Sequence, residues 1–143
     1  MARVSTYLNF DGDTEEAFEF YRSVFGTDYV APISRMGEME PPPGSPVLPD
    51  DERDKVMHVA LEILAGHVIM GTDMLESQGQ VRRIGNSTTI NLEPDTLEET
   101  QRLFDALSID STEGTALMQM PWGWWGCFLD RYGTRWMFNF SGD

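Results

Sequence analysis

Ser5-Thr6-Tyr7-Leu8-Asn9-Phe10-Asp11-Gly12-Asp13-Thr14 and Ser87-Thr88-Thr89-Ile90-Asn91-Leu92-Glu93-Pro94-Asp95-Thr96 read as one pattern written twice, 82 residues apart. Asn9-Phe10 falls on Asn91-Leu92, Asp13-Thr14 on Asp95-Thr96, and Glu16 on Glu98. Further along, Tyr21, Val24 and Phe25 fall on Leu103, Ala106 and Leu107. Matches held in register across a strand, a turn and a helix are the mark of an internal repeat.

Each copy opens on a strand. Over residues 3–10, Val4, Leu8 and Phe10 share one face while Ser5, Tyr7 and Asn9 share the other, the period of two that a half-buried strand requires. Residues 87–92 repeat this, with Ile90 and Leu92 inward and Ser87, Thr89 and Asn91 outward. Gly12 and Pro94 then break the strands. Asp13 and Asp95 stand as helix N-caps with Glu16 and Glu98 three residues on, a capping-box spacing. Ala17, Tyr21 and Val24 form one apolar stripe and Leu103, Phe104 and Leu107 the other. Gly26 marks the end of the first helix.

Beyond the first helix, Met57, Val59, Leu61 and Ile63 alternate with His58, Ala60 and Glu62. Ala65-Gly66-His67 reads as a hairpin turn into residues 68–72. Residues 127–130, the Arg131-Tyr132-Gly133 turn and residues 135–140 match that hairpin in the second copy. Residues 40–54 hold five of the eight prolines and an acidic cluster, and read as a mobile loop inside the first copy. The expected architecture is α+β: tandem βαβββ units over residues 1–75 and 86–143, with a linker at 74–86, in a single domain.

Length and composition agree with this. A chain of 143 residues can bury a core without staples, and eight Phe, four Trp and four Tyr argue against disorder. No apolar run approaches a bilayer span, and no signal-peptide core opens the chain, so no membrane partner is expected. A net charge of −14 disfavours nucleic acid, whose binding relies on Lys and Arg. The single cysteine, Cys127, cannot close an intrachain disulfide and suits a reducing cytoplasm.

Tyr7-Leu8-Asn9-Phe10-Asp11-Gly12, the helix ending Phe20-Tyr21-Arg22-Ser23-Val24-Phe25-Gly26, Val56-Met57-His58 and Ile69-Met70-Gly71-Thr72-Asp73 carry a family likeness. So do Trp122-Gly123-Trp124-Trp125-Gly126, Asp130-Arg131-Tyr132-Gly133 and Trp136-Met137-Phe138-Asn139. In order and spacing the chain resembles the PhnB-like branch of the vicinal oxygen chelate (VOC) superfamily, with glyoxalase I, extradiol dioxygenases and the bleomycin- and fosfomycin-resistance proteins. The resemblance implies a mixed sheet curled around a cleft, and, in metal-dependent members, one ligand on each of four cleft strands. Carried over, those positions fall on Ser5, Ser87, Met70 (or Gly71) and Asn139. Hydroxyl, thioether and carboxamide cannot replace imidazole and carboxylate for a divalent metal, so no metal and no other cofactor is expected. Some members of the branch are labelled ubiquinone methyltransferases, but no Gly-x-Gly follows any strand here.

Among residues able to do chemistry, His58 shares the polar strand face with Glu62. It reads first as a hydrogen-bonded structural histidine, and otherwise as a cleft-lining proton donor or acceptor. His67 falls in a turn at the surface. Cys127 reads as a small buried hydrophobe among aromatics. Asp73 is a remote candidate ligand if the last strand shifts by one. Trp122, Trp124 and Trp125 suit either a pocket for flat ligands or core packing, and alternation sends at least one of Trp124 and Trp125 away from a cleft. The ligand-facing set is Ser5, Tyr7, His58, Glu62, Met70, Ser87, Trp125 and Asn139, with Ser5, Ser87 and Asn139 offering neutral hydrogen bonds. Two functions follow: a metal-free protein that binds or sequesters a small organic molecule, or a glyoxalase- or dioxygenase-type enzyme with atypical ligands or no cofactor. Free sheet edges and an aromatic-rich surface also predict a homodimer.

Overall fold

The computed structural model describes residues 1–142. The chain divides into two compact units, Met1–Arg83 and the residues from Ile84 onward. In the first lie β1 (Thr6–Phe10), α1 (Thr14–Phe25), β2 (Ser34–Arg35), β3 (Val56–Glu62) and β4 (Val68–Asp73). In the second lie β5 (Ile90–Leu92), α2 (Leu97–Leu107), β6 (Met118–Met120), β7 (Gly123–Leu129) and β8 (Arg135–Phe140). The sheets run β1-β4-β3-β2 and β5-β8-β7-β6, so each unit is βαβββ with its first strand at an edge. Only β1–β4 and β5–β8 are parallel, and each of these pairs is bridged by a crossover that contains the helix.

In unit 1, α1 lays Ala17, Phe18, Tyr21 and Val24 on the sheet face carrying Phe10, Val59, Leu61 and Ile69. Phe10, Phe18 and Tyr21 meet edge to face at 5.8–6.0 Å between ring centroids. In unit 2, Phe104 of α2 lies edge-on to Phe128 at 5.1 Å and to Phe138 at 5.4 Å, beside fully buried Trp136. Burying each such ring stabilises by roughly 1.5–3 kcal/mol, and each edge-to-face pair adds about 1 kcal/mol. One glycine in each sheet makes room for the helix. A Cβ on Gly71 would stand 2.6 Å from the Phe18 ring, and one on Gly126 would stand 2.6 Å from Phe104.

Several local expectations are corrected. The edge strands begin at Thr6 and Ile90, not at residues 3 and 87, which leaves Val4 exposed and Ser87 in a bend. Neither Asp13 nor Asp95 caps a helix with its side chain. Thr96 is the N-cap of α2, accepting from the Glu99 N–H at 3.1 Å, and Asp73 serves α1 from β4. Met57 does not share the buried face with Val59 and Leu61. One step along β2, Ser34 to Arg35, spans two along β3, His58 to Val56. The extra residue is a β-bulge, which puts Val56 in the core and turns Met57 out. Gly26 does end α1 in the left-handed conformation, its N–H on the Arg22 carbonyl.

Candidate functional site

The two hairpins fix which residues are equivalent. Ile63 N–H closes one turn on His67 O, and Asp130 N–H closes the other on Thr134 O, 67 residues later. By that spacing His58, Met70 and Thr72 correspond to Trp125, Met137 and Asn139. Tyr7 pairs with Met70 and Asn91 with Met137, so the edge strands correspond at a spacing of 84. The offset of 82 visible in the sequence is therefore two residues out in these strands. A slip of two keeps every side chain on its own face.

On the polar face of unit 1, Tyr7, His58, Met70 and Ser5 come together. The Tyr7 hydroxyl lies 3.4 Å from His58 Nδ1, and their ring centroids are 5.9 Å apart. Ser5 Oγ points at Met70 Sδ from 3.9 Å. Partial burial raises the Tyr7 pKa, with a hydrogen bond from Thr72 opposing the shift, so its hydroxyl stays protonated at neutral pH. In unit 2 the corresponding pair is joined directly, Asn139 Nδ2 donating to Asn91 Oδ1 at 2.8 Å, with Trp125 opposite Asn139. Ser87 is not brought to Asn139: Asn91, four residues along, is the residue that Asn139 reaches. Glu62 is exposed at the end of β3, and His67 bonds Thr6 Oγ1 at 2.9 Å.

A cavity of about 470 Å³ opens beside this cluster, entirely within unit 1. Asn9, Met57 and Thr72 floor it from the sheet, one step along from Tyr7 and His58. The Pro-rich segment, expected to be a loose loop, roofs it with Met36, Met39, Pro41, Pro42, Pro46 and Leu48. Met74, Leu75, Gln78 and Gln80 from the chain leaving β4 close one side, and Arg53 lines it too. None of the eight residues selected from the sequence lines the cavity. Its signal was compositional: methionines and prolines crowd an insertion that no periodicity describes.

Specific bonds hold the roof. Gly37 N–H reaches Arg53 O at 2.8 Å while Arg53 Nη2 donates to Gly37 O at 3.0 Å. Buried Glu52 takes the Ser77 N–H at 3.3 Å and the Ser77 hydroxyl, tying the insertion to the segment after β4. Asp73, only 3% exposed, holds the base. Its Oδ1 accepts from Gly12 N–H, Thr14 N–H and Thr14 Oγ1 at 2.6–3.1 Å, and its Oδ2 from Val56 N–H at 2.8 Å. Asp73 is thus a structural carboxylate. Cys127 is half-buried on the polar face of β7, in line with Met137.

This layout, two βαβββ units each with a polar sheet face opposite its helix, is that of the glyoxalase-type VOC fold. A glyoxylase/bleomycin resistance protein/dioxygenase domain from Frankia sp. EAN1pec shares it with a TM-score of 0.61 at 12% identity, over 96% of both chains. The sequence places the chain more narrowly: residues 2–138 match the family described as 3-demethylubiquinone-9 3-methyltransferase, and the chain belongs to that family. It is 30% identical to Protein YjdN of Escherichia coli over 95% of this chain and 93% of that one. Protein PA1353 from Pseudomonas aeruginosa superposes with a TM-score of 0.83 at 28% identity over the whole of both chains. A putative 3-demethylubiquinone-9 3-methyltransferase, PhnB protein, from Bacillus cereus gives 0.75 at 26%, over 97% of this chain and 99% of that one.

The groups these relatives imply do not fit the residues present. Among the described residues no three His, Cys, Asp or Glu side chains are grouped to hold a metal. Ser5 and Met70 offer a hydroxyl and a thioether, while Asn139 is committed to Asn91. For a methyl donor of the nucleotide kind, the turn after β1 would need a Gly-x-Gly cradle. That turn is Asp11-Gly12-Asp13, with a single glycine and no such cradle. Among the described residues no helix is long and apolar enough to cross a membrane.

Proposed function

We propose that the chain binds a small, largely apolar organic molecule in the unit 1 cavity and needs no metal to do so. One observation carries this: a cavity of about 470 Å³, within the size range of small-molecule sites, with four methionines and three prolines among its walls. Methionine side chains are flexible and polarisable, so these walls adapt to ligands of different outline. Tyr7, His58, Met70 and Ser5 form the polar shoulder of the site, where a ligand's hydrogen-bonding groups emerge. The metal-free reading is checked by elemental analysis of purified protein, in which one tightly held zinc, nickel or iron per chain would defeat it.

A thermal-shift screen of apolar compounds tests the binding itself. Hits should raise Tm in the natural chain and lose their effect in Thr72→Trp, whose indole would fill the cavity floor. A screen in which hits stabilise both proteins equally would place binding elsewhere. We also propose a homodimer in the cytoplasm, from edge strands β1, β2, β5 and β6 and exposed Val30, Ile109 and Trp122. Sedimentation at micromolar protein would show a monomer if this is wrong.

A further inference from the structure

The cavity is apolar but not electrically neutral, and the arrangement of its charges points to the kind of ligand. We infer that it takes an organic monoanion, with an apolar body against the methionines and one carboxylate- or sulfonate-type head on Arg53. This rests on the binding function proposed above and goes further by naming the ligand's charge.

Only two ionic side chains line the cavity, Arg53 and Asp73. Asp73 is buried and saturated by donors from Gly12, Thr14 and Val56, so it has little capacity left for a ligand cation. Arg53 is the opposite case. Arg22, Arg35, Arg102 and Arg135 each hold a carboxylate within 3.2 Å, in a chain with 24 acidic residues. Among the described residues Arg53 has no such partner. Glu52 beside it is turned away onto Ser77.

Arg53 is also held in position. Its Nη2 is fixed on the Gly37 carbonyl, and its stem lies so close to Gly37 that a Cβ there would meet Arg53 Cβ and Nε at 3.1–3.2 Å. A planar guanidinium pinned by one N–H keeps its remaining donors in a fixed fork, the geometry that suits a two-oxygen anion. The remaining polar groups of the lining, Asn9, Thr72, Gln78 and Gln80 among them, are neutral and repel no anion.

Two dyes with the same aromatic body test the inference: 1-anilinonaphthalene-8-sulfonate, a monoanion, and N-phenyl-1-naphthylamine, which lacks the sulfonate. Fluorescence titration of the full chain should show the sulfonate binding roughly tenfold more tightly, as a charge-assisted pair on an exposed but pinned guanidinium gives. Arg53→Met should collapse that ratio to about one, and Arg53→Lys should restore part of it. Equal affinity for the two dyes in the natural chain, or a ratio that survives Arg53→Met, would overturn the inference while leaving the cavity a binding site. Binding of both dyes that Thr72→Trp leaves untouched would instead defeat the pocket reading on which the inference rests. Circular dichroism confirms that each variant is folded, and Arg53→Gln replaces Arg53→Met should the latter fail to fold.

Discussion

Unit 1 and unit 2 have one topology and one pattern of strand pairing, yet the cavity of about 470 Å³ is lined by unit 1 alone. The difference lies between the second and third strands of each unit. In unit 2, β6 turns into β7 through Pro121 and Trp122 alone, and the strands pair tightly. In unit 1 the corresponding connection runs from Met36 to Lys55, and it folds back over the polar sheet face. The βαβββ scaffold therefore supplies a floor, and the insertion supplies the site. Loops carried on a rigid scaffold are where binding usually resides.

Each unit also buries one aspartate, and the two do different work. Asp130 bonds its own turn through Tyr132 and Thr134 N–H at 2.8–2.9 Å and holds the Trp136 indole N–H at 2.8 Å. Asp73 joins three separate segments, the exit of β1, the start of α1 and the start of β3. Asp73→Ala strands several buried donors at about 1–3 kcal/mol each, so it should cost 3 kcal/mol or more in urea unfolding. Asp130→Asn keeps an acceptor for the turn but faces the Trp136 N–H with an amide N–H, and should cost about 1–3 kcal/mol. Equal losses at the two sites would show that Asp73 does not join those segments in solution.

The glycine notches sharpen the contrast. Gly71→Ala presses on the Phe18 ring and the Thr14 methyl, which are side chains that can shift. Gly126→Ala meets the Phe104 ring and also the Ala116 carbonyl and Leu117 Cα at 3.1 Å, which are backbone. Both overpack a core, at roughly 1–3 kcal/mol, and Gly126→Ala should be the worse of the two. The reverse order, measured by thermal unfolding, would mean that the unit 2 backbone yields more readily than the unit 1 core.

Much of this scaffold was legible in the sequence because strand alternation and helix stripes are periodic. The repeat was found at 82 although the edge strands correspond at 84, and a slip of two leaves the faces unchanged. What escaped had no period. The bulge at Met57 depends on pairing with β2, two residues long and invisible as a pattern. The cap of α1 comes from Asp73, some sixty residues away, so the local Asp13 looked sufficient. Tyr7 and His58 stand on polar strand faces that alternation marks, Ser5 and Met70 came from the analogy with metal-binding relatives, and the four cluster. The same analogy set Ser87 with Asn139, and there the register brings Asn91 to Asn139 instead. The cavity roof draws on the one segment whose proline content reads as loop whatever it folds against.

That segment offers a smaller effect, confined to unit 1. Glu52 is 5% exposed and accepts from both the N–H and hydroxyl of Ser77. Glu52→Ala should lower overall stability by only about 1 kcal/mol, the net worth of such bonds, but release the roof locally. Limited proteolysis should then cut residues 40–54 several-fold faster while the unit 2 fragment survives intact. An unchanged cleavage rate would show that the prolines, not the Glu52–Ser77 tie, keep the insertion down.

The smallest effect belongs to Asp13, displaced from its expected cap by Asp73. Its Oδ1 is buried with no hydrogen-bond partner, and desolvation is the largest cause of its raised pKa, with Arg82 opposing and Asp73 adding to it. A carboxyl that holds its proton more tightly folded than unfolded favours the folded state while protonated. It loses that advantage as pH rises from the unfolded pKa through the higher folded one. At neutral pH Asp13 is therefore a small liability, and Asp13→Asn should raise Tm there by roughly one or two degrees, as about 0.5 kcal/mol does in a chain of this size. Below the carboxylate range the Asp13 proton is bound in both states, so the gain from Asn should vanish. Tm measured for both proteins from acid to neutral pH gives two curves that converge at low pH and part on the alkaline side. Curves that part on the acid side instead would mean that the Asp13 carboxylate finds a partner in solution, and that α1 has the side-chain cap its sequence advertised.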